Sequence, residues 1–169
     1  MIRPLTPLDT DAFMALRREA LNDTPIAFGA SVEDDKGLIR EHVVEMLAKT
    51  SEQCVMGWFD DDSLVGMVGL YREQRLKSRH RGGVWGVYVT PSARGCGIMK
   101  QLLEAIVIKG REWGLMQLDL GVSIKTPNAK HVYESVGFRS WGIQPNTHIW
   151  NGITFDEEFM SLVLLTAQP

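Results

Sequence analysis

The chain opens on a short extended stretch, Ile2 to Thr6. Apolar residues then recur at helical spacing from Pro7 to Leu21, through Leu8, Ala12, Leu16 and Ala20, predicting a strand followed by a helix. Ser31 stands as N-cap for a second helix. Its first turn would hold Glu33, Asp34 and Asp35 against the positive helix end, with Val43, Met46 and Leu47 as the buried stripe. Gln53 to Phe59 and Leu64 to Tyr71 are β-rich runs around Asp60-Asp61-Asp62-Ser63, which predicts a hairpin. A polar and basic connection, Arg72 to Gly83, leads to a strand at Val84 to Thr90 that Pro91 ends. From Arg94 to Trp113 the positions Ile98, Leu102, Ile106 and Trp113 share one helical face, and Gly114 terminates it. Leu115 to Val122 reads as a strand. Thr126-Pro127 then places an N-cap hydroxyl before Pro at the first helical position, and Gly137 closes that helix. Phe138 to Ile143 and Glu158 to Thr166 are the last two strands, joined by a loop from Pro145 to Glu157 that contains Asn151-Gly152.

This order joins an antiparallel meander to a β-α-β crossover. It predicts an α+β (mixed α/β) fold: a single domain over residues 1–169 with a central, twisted, mostly antiparallel sheet of about seven strands, one parallel pair, and about four flanking helices. With 44% hydrophobic and 23% charged residues in 169, the chain has enough apolar material for one core without disulfide or metal staples. Eighteen Lys and Arg against 21 Asp and Glu give a net charge of −3, which lends no support to nucleic-acid or anionic-membrane partners. Cys54 and Cys96 are too few for a disulfide framework, so a reducing, cytoplasmic location is expected. The start lacks the basic-then-apolar order of a signal peptide, and no run reaches the ~18 apolar residues of a membrane span. His42, His80, His131 and His148 show no ligand spacing, so no metal is expected.

Chemistry concentrates in the run from Val84 to Lys100, which sets a glycine-bearing turn between a strand and a helix start. First-turn N–H groups lack partners and carry positive potential, so a turn without side-chain bulk seats a phosphate there. Gly95 and Gly97 permit the approach, and Arg94 and Lys100 add charge at either side. Lys100 stands where a dinucleotide fingerprint needs its third glycine, which disfavours a nucleotide oxidoreductase, and no Gly-Lys-Ser/Thr ending exists for a nucleoside triphosphate loop.

Arg94-x-x-Gly97-x-Met99 after a strand, together with Thr126-Pro127-Asn128-Ala129-Lys130-His131-Val132-Tyr133-Glu134-Ser135-Val136-Gly137-Phe138, resembles the two signatures of the GNAT superfamily of acetyl-CoA-dependent N-acetyltransferases. Met99 occupies a small-residue position of that pattern and Thr126 replaces its usual Asn. The resemblance implies acetyl-CoA as co-substrate, its diphosphate on the turn Arg94, Gly95, Cys96, Gly97, Ile98, Met99 and Lys100. It implies the pantetheine arm along the backbone of Val87, Tyr88 and Val89, with further coenzyme contacts from Thr126, Asn128 and Tyr133. It also implies Tyr133 as general acid for the departing thiolate and direct attack by a primary amine, without a Cys96 acyl-enzyme. Glu73, His80, Asp119 or a water relay are candidates for the general base. Phe28, Trp141, His148 and Trp150 are candidates for an acceptor pocket, and Asp156, Glu157 and Glu158 for attracting its cation. A small-molecule amine is the expected partner and a homodimer the expected assembly option. A protein N-terminus or lysine as acceptor, and a non-catalytic acetyl-CoA-binding or interaction module, remain as alternatives.

Overall fold

The computed structural model describes residues 1–164. Phe13, Leu16, Ala20 and Leu21 give α1 (Thr10–Asp23) its buried side, and Val43, Met46 and Leu47 do the same for α2 (Arg40–Ala48). Seven strands follow the expected order: β1 (Ile2–Pro4), β2 (Gln53–Asp60), β3 (Ser63–Arg72), β4 (Arg81–Val89), β5 (Gln117–Ser123), β6 (Arg139–Trp150) and β7 (Ile153–Val163). α3 (Ile98–Glu112) and α4 (Pro127–Val136) are the remaining α-helices, and five single-turn 3-10 helices lie in the connections among the described residues. The strands lie in the order β1-β2-β3-β4-β5-β7-β6, and among them only β4 and β5 run parallel. This is the predicted α+β architecture of four helices on a seven-stranded mixed sheet.

The sheet separates two apolar clusters. Leu102, Leu103 and Ile106 of α3, Tyr133 of α4, and Leu118, Leu120 and Met160 of the sheet fill one side. Phe13, Leu16, Val43, Leu47 and the sheet residues Val55, Met67 and Tyr88 fill the other. Fully burying one such side chain is worth about 1.5–3 kcal/mol, so these two layers fix where the strands sit relative to the helices.

Several boundaries depart from the expectation. β4 starts at Arg81, inside the connection expected to run to Gly83, and Gly82 and Gly83 are buried and paired with β5. Ser31 does not cap a helix: its N–H donates to Asp34 Oδ1 at 2.7 Å in a local turn, and α2 begins nine residues later at Arg40. The third helix starts at Ile98 and not at Arg94, because Gly97 at φ 74 holds the N-cap position in the left-handed region. Thr126 sits at the N-cap of α4, but its hydroxyl turns back to donate to Ser123 O at 2.8 Å. The expected loop from Pro145 to Glu157 is mostly sheet: β6 and β7 form a long hairpin that turns at Asn151 (φ 49) and Gly152 (φ 74). That pair of positive φ angles is what a tight hairpin turn asks for. Residues 165 and 166 of the expected last strand lie outside the described residues.

Candidate active site

β4 and β5 pair only at Arg81 with Gln117, Gly82 with Leu118 and Gly83 with Asp119; beyond these the parallel strands part. A bulge reshapes β4 just past that point. Gly69 opposes Trp85 and Met67 opposes Tyr88, so Gly86 and Val87 together face the single Val68. Gly86 sits at φ 62, where L side chains are strained, so glycine is what this bulge requires. The extra residue resets the alternation. Trp85 and Tyr88 both turn toward the α1 and α2 layer, while Val84, Val87 and Val89 turn toward α3 and α4. The N–H of Thr90 donates to Val65 O at 2.9 Å, so strand alternation aims the N–H groups of Val89 and Val87 away from β3 and into the gap.

A cleft of about 630 Å³ occupies this gap. Its β4 wall contains Val87, Tyr88 and Val89; its opposite wall contains Thr126, Asn128 and Tyr133; its far end is the turn of Arg94, Gly95 and Gly97 with Ile98, Met99 and Lys100. Cys96 alone of the sequence-derived set stands outside the wall, exposed, with its Sγ 3.8 Å from Arg94 O. The backbone N–H groups of Gly95, Cys96 and Gly97 make no backbone hydrogen bond among the described residues, and the first N–H groups of α3 have no helical partner. Nothing lies within 4 Å of where a Cβ would stand on Gly95. An open row of donors at a positive helix end fits a diphosphate. Met99 borders the cleft half-buried, packed against the α3 and α4 core.

Arg94, expected to add charge beside the turn, is already engaged by protein groups. Its guanidinium bonds the Asp23 carboxylate, donates through Nε to Val89 O at 2.9 Å, and lies 5.5 Å over the Tyr88 ring. Arg94 in turn holds the Asp23 carboxyl below the ordinary range. Lys125, which the sequence reading did not single out, also borders the cleft. Replacing Arg94 with alanine removes a charge-assisted donor and frees Asp23 to repel a polyanion. We expect acetyl-CoA affinity to fall about tenfold, measured by titration calorimetry at two salt concentrations, with the larger loss at low salt.

Tyr133 is 6% exposed, edge-on to Phe138 with ring centroids 6.1 Å apart. Burial pushes its hydroxyl above the ordinary tyrosine value, because an apolar surrounding disfavours the phenolate. The group is therefore a phenol throughout the physiological range. Tyr88 also titrates high, through burial and then through its hydrogen bond to Glu19 Oε1 at 3.0 Å, which occupies its hydroxyl.

None of the three base candidates borders the cleft. Asp119 is bound by Arg81 at 2.8 Å and by Ser161 at 2.5 Å, at the end of the parallel pair where the ladder is closed. Glu73 and His80 flank the same closed end: Glu73 N–H donates to Arg81 O, and His80 O accepts from Met116 N–H. Gly83 to Val87 is about 13 Å of strand, too far for direct proton transfer at the gap. Among the expected acceptor-side residues, Phe28 borders the cleft, whereas Trp141 is 65% exposed and stacks on Phe159. Glu158 faces the opposite layer and pairs with Lys130 at 3.0 Å, and Asp156 accepts from Asn146 N–H at 2.9 Å.

A family model described as Acetyltransferase (GNAT) family matches residues 13–138, which run from α1 through the Gly95–Gly97 turn to the end of the second signature. The chain belongs to this family. Acetyl-CoA is accordingly its co-substrate and acyl transfer its general reaction. Among curated protein sequences none matches. Among solved structures the chain is similar to the Salmonella typhimurium protein yncA with its cofactor acetyl-CoA, at TM-score 0.87 and 20% identity over 100% of this chain and 96% of that one. It is similar to a GNAT superfamily phosphinothricin acetyltransferase from Sinorhizobium meliloti in complex with acetyl-CoA, at TM-score 0.85 and 19% identity over 97% and 88%. It is also similar to a ribosomal-protein-alanine N-acetyltransferase from Brucella melitensis, at TM-score 0.86 and 24% identity over 97% and 99%. The GNAT fold thus extends along the chain beyond the stretch that the family model matches.

Proposed function

We propose that this GNAT chain acts as one N-acetyltransferase domain that moves the acetyl group of acetyl-CoA to a primary amine of a small molecule, by direct attack in a ternary complex with Tyr133 as general acid. The observation that carries this reading is a phenol, without a side-chain partner among the described residues, at the wall of a gap whose other wall offers unpaired strand amides, with a diphosphate cradle at the end. The amides of Val87 and Val89 take the pantetheine arm. One amide at the bulge polarises the acetyl carbonyl, where negative charge develops as the nitrogen adds. Arg94, Gly95, Cys96, Gly97, Ile98, Met99 and Lys100 hold the diphosphate end through backbone donors and local positive charge. Thr126 and Asn128 line the opposite side.

The acceptor class is supported by the resemblance to a phosphinothricin acetyltransferase. The resemblance to a ribosomal-protein-alanine N-acetyltransferase supports the second reading, a protein N-terminus. Thermal shift with acetyl-CoA, CoA, NAD and ATP, followed by thiol release over a panel of amines and peptides, tests both. Acetyl-CoA and CoA at about 100 times their dissociation constants add about 2.7 kcal/mol of stability, and NAD and ATP add none. Stabilisation by NAD alone overturns the assignment. Transfer to peptides without transfer to small amines moves the acceptor to proteins, and coenzyme binding without transfer to any amine makes the domain a binding module.

A further inference from the structure

Building on the acetyl-transfer reading, we infer that Glu157 and His148 form the acceptor-amine subsite, taking the proton of an aromatic primary ammonium whose body fills a second cleft beside Phe28. Both residues lie on the β6–β7 hairpin. Glu157 opposes Ser123 of β5, and alternation along β7 puts Phe155, Glu157 and Phe159 on one face while Glu158 and Met160 take the other. The Glu157 carboxylate folds over Gly121: a Cβ on that glycine would come within 2.3 Å of Glu157 Oε1. Gly121 belongs to the wall of the coenzyme cleft, and its missing side chain lets the Glu157 carboxylate stand directly behind that wall, although Glu157 itself is in the lining of neither cleft.

Elimination points the same way. The titratable side chains bordering the coenzyme cleft are Arg94, Lys100, Lys125, Tyr88 and Tyr133; among the described residues no carboxylate or imidazole joins them. Around it, Asp23 is held by Arg94, Glu19 accepts from Tyr88 and Thr90, and Glu158 is paired with Lys130. Glu157 has one charged or ionisable neighbour among the described ion pairs, His148, with Nε2 3.8 Å from Oε2. The two side chains are 22% and 32% exposed. That distance exceeds a hydrogen bond, so passage of a proton between them needs a small closure or one bridging water.

His148 also borders the second cleft, of about 380 Å³, together with Ile26, Phe28, Trp150 and Phe155. Phe28 is common to both clefts. Among the described residues no Lys or Arg borders the second one, and Asp34 stands at it. Ser31 and Thr147 line it as well, so the lining mixes aromatic and polar groups and suits an aromatic body with a cationic head.

The ammonium gives one proton to Glu157, which passes it through His148 toward solvent. The freed nitrogen attacks the acetyl carbonyl carbon, forming C–N; the C–S bond then breaks, and the thiolate takes the Tyr133 proton. The new amide nitrogen releases its surplus proton and restores Tyr133, so the net products are amide, thiol and one proton. A base is needed because an alkyl amine, at about 10.4, is almost wholly protonated at pH 7.

The test compares two acceptors of similar shape: 2-phenylethylamine, protonated at pH 7, and O-benzylhydroxylamine, already neutral there. For Glu157→Gln we expect kcat/KM on 2-phenylethylamine to fall about 10²-fold and the rate on O-benzylhydroxylamine to change less than about threefold. Glu157→Asp should recover part of the loss, with acetyl-CoA affinity and melting temperature unchanged in both variants. An equal loss on both acceptors assigns Glu157 a structural role and overturns the subsite, as does an unchanged rate on 2-phenylethylamine. A wild-type protein that turns over peptides but neither probe also overturns it. Only a wild-type protein with no transfer to any amine sinks the acetyl-transfer reading itself.

Discussion

Tyr133→Phe is expected to lower turnover by about 10² while leaving acetyl-CoA affinity and folding stability close to wild type. The surroundings account for the unchanged stability. The hydroxyl makes no side-chain hydrogen bond among the described residues, and the ring packs edge-on to Phe138, a contact phenylalanine keeps. Removing an oxygen that bonds no protein group costs the fold little. The leaving group accounts for the lost turnover. A thiolate expelled into an apolar cleft is poorly solvated, and a nearby phenol lets it depart as a thiol. Tyr133 titrates above its ordinary value, so proton donation is uphill at rest. It proceeds because the acylated nitrogen is a strong acid at that moment and returns a proton to the phenol. Burial disfavours the charged form, so the donor is retained as pH rises, and kcat should show no alkaline decline up to the ordinary tyrosine value of about 10. Steady-state kinetics across pH, with coenzyme titration alongside, checks turnover and affinity together. Turnover unchanged at every pH would remove Tyr133 from the chemistry.

That the glycine turn after β4 and Tyr133 would border one cleft was legible because their signals are local. Glycines between a strand and a helix, and a Thr-Pro helix start, declare themselves over a few residues. The helices were legible for a similar reason: Val43, Met46 and Leu47, or Leu102 and Ile106, keep helical spacing whatever they pack against. The outer half of the β6–β7 hairpin, expected as a loop from Pro145 to Glu157, was not, because β6 is exposed along most of its length and carries no alternation to read. The register shift between Gln144 and His148 further breaks its period. The bulge at Gly86 rests on one glycine within a strand, indistinguishable in sequence from Gly82 or Gly83. Glu157 and His148 meet only through hairpin register, which turn chemistry at Asn151 and Gly152 sets and which no spacing rule exposes. Of the base candidates, Glu73 follows the end of β3, His80 lies in the connection leading into β4 and Asp119 belongs to β5. They stand at the end of the β4–β5 pair where the strands are still hydrogen-bonded, away from the gap.

Arg17→Met should destabilise the fold by about 3 kcal/mol, at the lower edge of the range of roughly 3–5 kcal/mol for breaking a buried pair. The Arg17 side chain is 8% exposed, and its Nε and Nη2 reach Asp35 Oδ2 at 3.2 and 2.5 Å. Asp35 Oδ1 accepts the Gly37 N–H at 2.6 Å, and the guanidinium carbon lies 4.8 Å from the Phe28 ring centre. The pair thus ties α1 to the segment before α2 and braces the ring that borders both clefts. Methionine fills comparable volume but leaves the carboxylate buried without a cation, and that uncompensated charge dominates the loss. Against it stands Arg17 Nη1, buried without a hydrogen-bond partner and aimed at the Gly86 bulge, where a Cβ would lie 3.9 Å away. Relieving that orphan donor returns about 1–3 kcal/mol, which sets the net near the low end. Urea unfolding of three proteins decides it. Wild type and the Arg17→Met/Asp35→Asn double variant should lie close together, because asparagine keeps an oxygen for Gly37 N–H and removes the unpaired charge, while Arg17→Met alone falls well below both. A single variant within about 0.5 kcal/mol of wild type would mean that Asp35 finds water when its partner is lost, and that the pair does not brace the acceptor side.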